Sequence, residues 1–265
     1  MHGPPAPAVI DPAMLLLAYR SGIFPMADSR DDDELFWVEP RKRAILPLDG
    51  FQLSHSLART LRRGRFRVTC NTAFHQVLLA CAAPRSDGGD TWISGRIEAS
   101  YLQLHALGHA HSLECWQDDR LVGGLYGVGF DGAFCGESMF CRVPDASKVA
   151  LAWLVAALRR AGAGLLDCQF MTDHLASLGA VEIDQAVYLS RLRAVQSPIE
   201  GDGTAAGLGA GGFGAAAGAA GAAAEPVPLL MALPAGFAAL LADAAAAGLS
   251  SSPGNFIAQS LTHTS

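Results

Sequence analysis

Three side chains suited to acid–base or hydrogen-bonding chemistry sit in two short apolar stretches. One stretch is Phe134-Cys135-Gly136-Glu137-Ser138-Met139-Phe140-Cys141, and the other is Leu165-Leu166-Asp167-Cys168-Gln169. Both read as strands, in which alternate side chains share a face. Regular alternation puts Cys135, Glu137, Met139 and Cys141 on one face, and groups Asp167 with Gln169. A carboxylate among Cys and Met is an odd choice for a core, because an unpaired buried charge is costly or shifts its pKa. Glu137 is therefore either solvated on an edge strand or the acid of a pocket wall. If the two strands are neighbours, Glu137, Asp167 and Gln169 converge. Two carboxylates and an amide can hold an ammonium group and help relay a proton from an attacking amine. The plain alternative is an Asp that opens a turn and a Gln that faces water.

Other constellations carry less chemistry by themselves. Pro144-Asp145-Ala146-Ser147-Lys148 opens a helix, where free N–H groups, Ser147 and Lys148 suit an anion such as phosphate. Ordinary capping with an exposed Lys is the alternative. Arg59, Arg62, Arg63, Arg65 and Arg67, with Arg41-Lys42-Arg43 as a possible extension, make a local basic patch suited to phosphate-backbone contact. A solvated helix face would look the same. Trp37 and Trp92 lie beside polar residues and could stack on a base or pack in a core. His105, His109 and His111 resemble a metal cluster by count only. The run Gly123-Gly124-Leu125-Tyr126-Gly127 allows close backbone approach to a ligand. No phosphate-binding Walker loop, GxSxG elbow or GxGxxG before a helix is present.

The elements that must position these residues are mixed. Asp11-Pro12 starts a helix that Gly22 closes. Residues 35–38 and 44–46 read as short strands. Ser54 caps a helix bearing Leu57 and Leu61, residues 66–70 form a strand, and Asn71 caps the next helix. Residues 96–107 are helical. Residues 112–141 are a meander with turns at Asp118-Asp119 and Asp131-Gly132. Asp145 caps a helix over 146–160, residues 165–170 are a strand, Asp173 caps a short helix, and Tyr188–Val195 reads as a last strand. The expectation is an α+β fold in three parts: a small N-terminal α+β domain (1–50), a catalytic domain (51–196), and a Gly/Ala-rich, unstructured tail (197–265). Within that tail only 234–248 suggests a weak helix.

The 265-residue chain carries a net charge of −6, which argues against a globally basic nucleic-acid coat and confines any such contact to a local patch. The six cysteines show no CxxC pair and no zinc spacing, as expected of reduced, structural thiols. The first residues do not read as a signal peptide, and 205–224 are too rich in Ala and Gly for a membrane span. A cytoplasmic monomer without membrane attachment is the expectation.

The motifs in order resemble a known family, the leucyl/phenylalanyl-tRNA–protein transferases. They are Tyr19-Arg20-Ser21-Gly22-Ile23-Phe24-Pro25-Met26, Phe36-Trp37, Thr91-Trp92-Ile93, the stretch 107–114 (LGHAHSLE), the stretch 121–127 (LVGGLYG), the stretch 134–140 (FCGESMF), Ala146-Ser147-Lys148, Asp167-Cys168-Gln169, and the stretch 173–180 (DHLASLGA). The resemblance implies transfer of Leu or Phe, and less readily Met, from aminoacyl-tRNA to proteins beginning with Arg or Lys, which marks them for N-end-rule degradation. It implies a GNAT-like acyltransferase domain with a largely antiparallel mixed sheet, and no metal or dissociable cofactor. Asp167 and Gln169 match residues that orient or deprotonate the incoming amine, and Glu137 matches a pocket acid. Trp37 and Trp92 match aromatics at the terminal adenosine. Leu125, Phe134, Met139 and Leu154 would line the side-chain pocket, and Arg59–Arg67 would hold the acceptor stem. Residues 1–10 are shorter than the family's usual N-terminus, and the region after 197 lies outside the shared core.

Two rivals belong to other classes. An acyl-CoA-dependent N-acyltransferase of the same fold would want a Gly-rich pyrophosphate loop, of which Pro144–Lys148 is a poor version. A non-catalytic RNA-binding module would not need Glu137, Asp167 and Gln169 together.

Overall fold

The computed structural model describes residues 9–32, 34–84, 90–196 and 232–262. Of the tail read as unstructured, 197–231 and 263–265 lie outside them. Helix α1 (Pro12–Arg20) begins as its sequence requires: the Asp11 side chain accepts the Met14 N–H, and Pro12 takes the first position. Gly22 adopts φ 81° just past its end. Strands β1 (Phe24–Met26) and β2 (Phe36–Val38) pair antiparallel as a separate two-stranded sheet. Strand β3 (Lys42–Ile45) then enters the main sheet rather than staying with the N-terminal elements.

Helix α2 (His55–Arg62), β4 (Arg67–Cys70), α3 (Phe74–Cys81) and α4 (Gly95–Ala106) lead into the meander β5 (Ala110–Gln117), β6 (Arg120–Phe130) and β7 (Ala133–Cys141). Asp118 and Asp119 both have positive φ, as a tight hairpin turn demands. Helix α5 (Ala146–Arg160) crosses over to β8 (Leu165–Gln169), which lies parallel to β7, the expected outcome of a strand–helix–strand unit. Then follow α6 (Asp173–Ala176), β9 (Val181–Asp184), α7 (Gln185–Gln196), α8 (Ala232–Ala246) and α9 (Pro253–Thr262). The seven-stranded sheet runs β4-β5-β6-β7-β8-β3-β9, antiparallel except at β7/β8. The fold is α+β. Among the described residues no helix is long and apolar enough to cross a membrane.

The sheet buries two cores. One face packs on α5, α2, α8 and α9, and the other on α1, α3, α4 and α7. Helix α5 is buried along almost its whole circumference, and an apolar helix of that kind needs neighbours on every side. The C-terminal helices supply them, where the sequence suggested an unstructured tail with at most one weak helix. Gly236 of α8 sits on the Ala157 carbonyl so closely that a Cβ would lie 2.3 Å from the oxygen. Phe237 packs on Trp153 with ring centroids 5.3 Å apart, and Arg160 pairs with Asp243.

Four local expectations are corrected. Tyr188–Val195 is helical: Tyr188 and Leu192, four apart, are the buried pair. Asp145 does not cap α5; it is left-handed at φ 75° and makes no capping bond. Asn71, also at positive φ, accepts the Ser112 N–H, and the start of α3 is held instead by Glu114, which accepts from the Thr72 and Ala73 N–H groups. Thr172, not Asp173, caps α6.

Candidate functional site

Regular alternation fails at the residue that matters most. Across β6 and β7, Tyr126 faces Ser138 while Gly127 faces Gly136, so Glu137 is the extra residue of a β-bulge. The bulge changes which face each side chain meets. Cys135 packs in the core of α1 and α4, whereas Met139 packs against the core of α5. The sequence expectation that Cys135, Glu137 and Met139 share a face is thereby corrected. Gly127 permits the bulge, because a Cβ there would meet the Cys135 carbonyl at 2.3 Å and the Phe134 ring at 2.5 Å. The glycine run in β6 thus admits the protein's own backbone and rings, not a ligand.

Glu137 is 8% exposed and surrounded by neutral donors. Its Oε1 accepts from Tyr19 Oη (2.7 Å) and Gln169 Nε2 (3.0 Å), and its Oε2 accepts from Tyr101 Oη (3.1 Å). The two tyrosine hydroxyls also touch one another. Burial pushes the Glu137 carboxyl up to about 7, although the bonds from Tyr19, Gln169 and Tyr101 oppose that rise. Burial and the facing carboxylate hold both phenols far above their ordinary value, so they remain donors.

Asp167 is fully buried and differently partnered. Arg43 Nε donates to Oδ1 at 2.9 Å and Arg43 Nη2 to Oδ2 at 2.6 Å. Tyr188 Oη donates to Oδ2 at 2.9 Å, and the Gln169 backbone N–H to Oδ1 at 2.8 Å. Arg43 lies between the rings of Phe24 and Tyr188, 4.8 and 4.5 Å from their centroids. Burial pulls the guanidinium's pKa down, but the Asp167 charge and hydrogen bonds outweigh it and hold it above its ordinary value. Gln169 has φ 63°, a left-handed conformation uncommon for a residue with a side chain. The Asp167 bond to its N–H fixes that turn, and the side chain reaches Glu137. Asp167 does not line the cavity beside Glu137. It holds the backbone N–H of Gln169, which does line it.

The cavity has a volume of about 260 Å³. Leu125, Met139, Leu151, Leu154 and Leu166 make its walls, Glu137 and Gln169 supply the acid and the amide, and Trp92, Met26, Phe170 and His174 border it. Of the residues singled out from sequence, the structure brings Glu137, Gln169, Leu125, Met139, Leu154 and Trp92 together there. Phe134 is buried elsewhere and lines a separate small cavity with Leu158 and Leu233. Trp37 lies on β2 outside the cavity wall, 43% exposed. Ser147 and Lys148 line a second, open cavity of about 460 Å³, which shares Met139 and His174 with the first. Arg59, Arg62, Arg63, Arg65 and Arg67 are all exposed on α2 and the chain that follows it. Arg67 pairs with Asp119 at 3.4 Å and lies over Trp116, and Arg65 lies over Phe66.

Sequence reasoning missed the partners. Tyr19 and Tyr101 stood in apolar helical faces and read as core. Tyr188 was placed on a strand. Arg43 was part of a basic run that read as a possible extension of the phosphate-contact patch, although its alternation with Lys42 carried the signal of one buried and one exposed side chain. His105, one of the three histidines, stacks on Phe74 and bonds the Ala110 carbonyl.

Comparison with known proteins is consistent across the chain. Residues 45–193 match the family model described as leucyl/phenylalanyl-tRNA protein transferase, and residues 9–41 match the model of that enzyme's N-terminal domain. A leucyl/phenylalanyl-tRNA–protein transferase of Novosphingobium aromaticivorans is 63% identical over 98% of both chains. Proteins with the same name from Rhizorhabdus wittichii and Zymomonas mobilis are 59% and 60% identical, over 75% and 71% of this chain and 80% and 70% of their own.

Proposed function

We infer that this chain, which belongs to the leucyl/phenylalanyl-tRNA–protein transferase family, transfers leucine or phenylalanine from aminoacyl-tRNA to proteins. The observation that carries the reading is the apolar cavity with a buried acid and amide on its wall. An aminoacyl ester is already activated, so catalysis needs positioning and a free amine rather than a covalent nucleophile. Leu125, Met139 and Leu154 hold the Leu or Phe side chain. A flexible Met accommodates an unbranched Met guest as well, while β-branched guests fit poorly.

The acceptor is a protein whose first residue is Arg or Lys, and its α-ammonium group meets Glu137 and Gln169. Ionised Glu137 takes a proton from that ammonium. The amine nitrogen then attacks the ester carbonyl, a C–N bond forms, the ester C–O bond breaks, and the ribose oxygen leaves as a hydroxyl with the proton that the attacking nitrogen gives up. Asp167 acts through Gln169, whose left-handed turn it holds, rather than as the base itself. Trp92 faces the terminal adenosine at the cavity, with Trp37 further out, and Arg59, Arg62, Arg63, Arg65 and Arg67 meet the acceptor stem. The enzyme works as a monomer in the cytoplasm, and the residue it adds marks the acceptor for degradation.

The test is transfer of labelled Phe from Phe-tRNA to a peptide beginning with Arg. Incorporation that disappears when Arg is replaced by Gly is the expected result. No incorporation, or incorporation only from acetyl-CoA, overturns the reading in favour of an acyl-CoA-dependent acyltransferase.

A further inference from the structure

The second cavity has walls of a different chemistry from the first. Helix α5 begins at its edge, with Pro144, Asp145, Ser147 and Lys148 in the lining. No side chain caps this fifteen-residue helix. The Ala146 N–H is taken by the Val143 carbonyl, so what the helix start offers a ligand is the positive end of its dipole and the N–H groups of the following residues. Independently of the helix, Ser147 is only 5% exposed, lines the cavity, and has no hydrogen-bond partner among the described residues. His174 Nε2, in the same lining, is likewise buried without a partner. Buried polar atoms in native proteins are almost always satisfied, so His174 Nε2 calls for a ligand, and the Ser147 hydroxyl in the same lining can serve the same one. Lys148 makes no ion pair among the described residues and adds a cation.

We propose that this cavity is a phosphodiester subsite for the single-stranded 3′ end of the donor RNA, between the basic face of α2 and the aminoacyl cavity. The proposal rests on the reading of the donor given above and adds a binding site to it. Hydroxyl, ammonium, imidazole and backbone N–H are all donors, and a phosphodiester offers only acceptors. The acceptor protein instead presents an ammonium group, which these donors would repel. The one opposing group is Asp145, whose Oδ2 accepts from Thr60 Oγ1 at 3.3 Å. That bond ties the cavity rim to α2, where Arg59 adjoins Thr60 and Arg63 lies one turn on. On the other side, Met139 and His174 are shared with the aminoacyl cavity. The order is therefore basic helix, phosphate subsite, aminoacyl cavity, matching the order of acceptor stem, unpaired end and ester in the donor.

The experiment compares three donors: Phe-tRNA, phenylalanyl-adenosine, and phenylalanyl-adenosine carrying a 5′-phosphate. With the native enzyme the 5′-phosphate raises kcat/KM roughly ten- to a hundredfold, as charge-assisted hydrogen bonds allow. In Ser147→Ala and Lys148→Met most of that gain disappears. The ratio is taken within each variant, so a general loss of folded enzyme cancels. A native enzyme indifferent to the phosphate, or variants that keep the full gain, overturns the subsite while leaving transfer from Phe-tRNA intact. Absence of transfer from Phe-tRNA itself overturns the underlying reading instead.

Discussion

Glu137 and Asp167 are both buried carboxylates, linked through Gln169, yet they sit in opposite electrostatic settings. Asp167 faces a guanidinium held between two rings, so its charge is compensated inside the protein. Glu137 faces two phenols and an amide, which stabilise a charge by hydrogen bonding without cancelling it. A compensated anion can serve as a fixed anchor. An uncompensated one is pushed towards neutrality, here to about 7, and becomes responsive to a cationic ligand. The anchor shapes the backbone of Gln169, and the responsive acid borders the cavity. The proposed division into one structural and one chemical carboxylate rests on this difference between their neighbours.

The sharpest way to break this contrast is to remove the cation. Arg43→Met leaves Asp167 as an uncompensated buried charge, and the expected loss of stability is about 3–5 kcal/mol. Urea unfolding at neutral pH measures it. A loss below about 1 kcal/mol, the range of an ordinary hydrogen bond, would mean that Asp167 is not a charged anchor. Glu137→Gln should behave in the opposite manner. It keeps the shape and most of the hydrogen bonds, so stability is not lost at neutral pH while kcat falls roughly a hundredfold or more. The sign with pH follows from the raised pKa. Glu137's contribution to stability is complete below its ordinary 4.5 and is lost as pH rises through about 7. Glu137→Gln removes that loss, so the variant gains on the native protein above pH 7. A variant that unfolds as readily as Arg43→Met would erase the distinction.

Much of this arrangement was legible in the sequence, and the remainder was hidden for identifiable reasons. A strand, an apolar helix and a second strand place Glu137 and Gln169 side by side, because such crossovers return to the same sheet. Of the four wall residues that the resemblance implied, Leu125, Met139 and Leu154 line the apolar cavity and Phe134 does not. The bulge at Glu137 was not legible, because a register shift belongs to the pair β6 and β7 and not to either strand alone. Arg43 was obscured by Arg41 and Lys42, since a basic run usually lies in water. Tyr19 and Tyr101 carried the pattern of core residues, and they are core residues; their hydroxyls matter only once Glu137 is brought between them from 118 and 36 positions away. Helix α8 was read only as a weak helix and α9 was missed, because Ala- and Gly-rich composition resembles a linker. What α5 required, small residues permitting close approach, is what that composition supplies.

The smallest effect offers the most selective test. Tyr101 donates to Glu137 Oε2, and that bond favours the charged carboxylate. Tyr101→Phe removes one hydrogen bond to an anion while keeping the ring that packs edge-on to Tyr126. Loss of such a bond is worth about 1.5 kcal/mol, or roughly one pH unit. The acid limb of kcat/KM, which rises as Glu137 ionises, should therefore move to higher pH by about that amount. Tyr188→Phe is the matched control on the other carboxylate. It removes a hydrogen bond to Asp167 of similar length, 2.9 Å, but leaves Arg43 in place, so the limb should stay where it is. If both variants move the limb equally, the two carboxylates titrate as one unit and the division between anchor and acid is wrong. If only Tyr101→Phe moves it, the proton that governs transfer resides on Glu137.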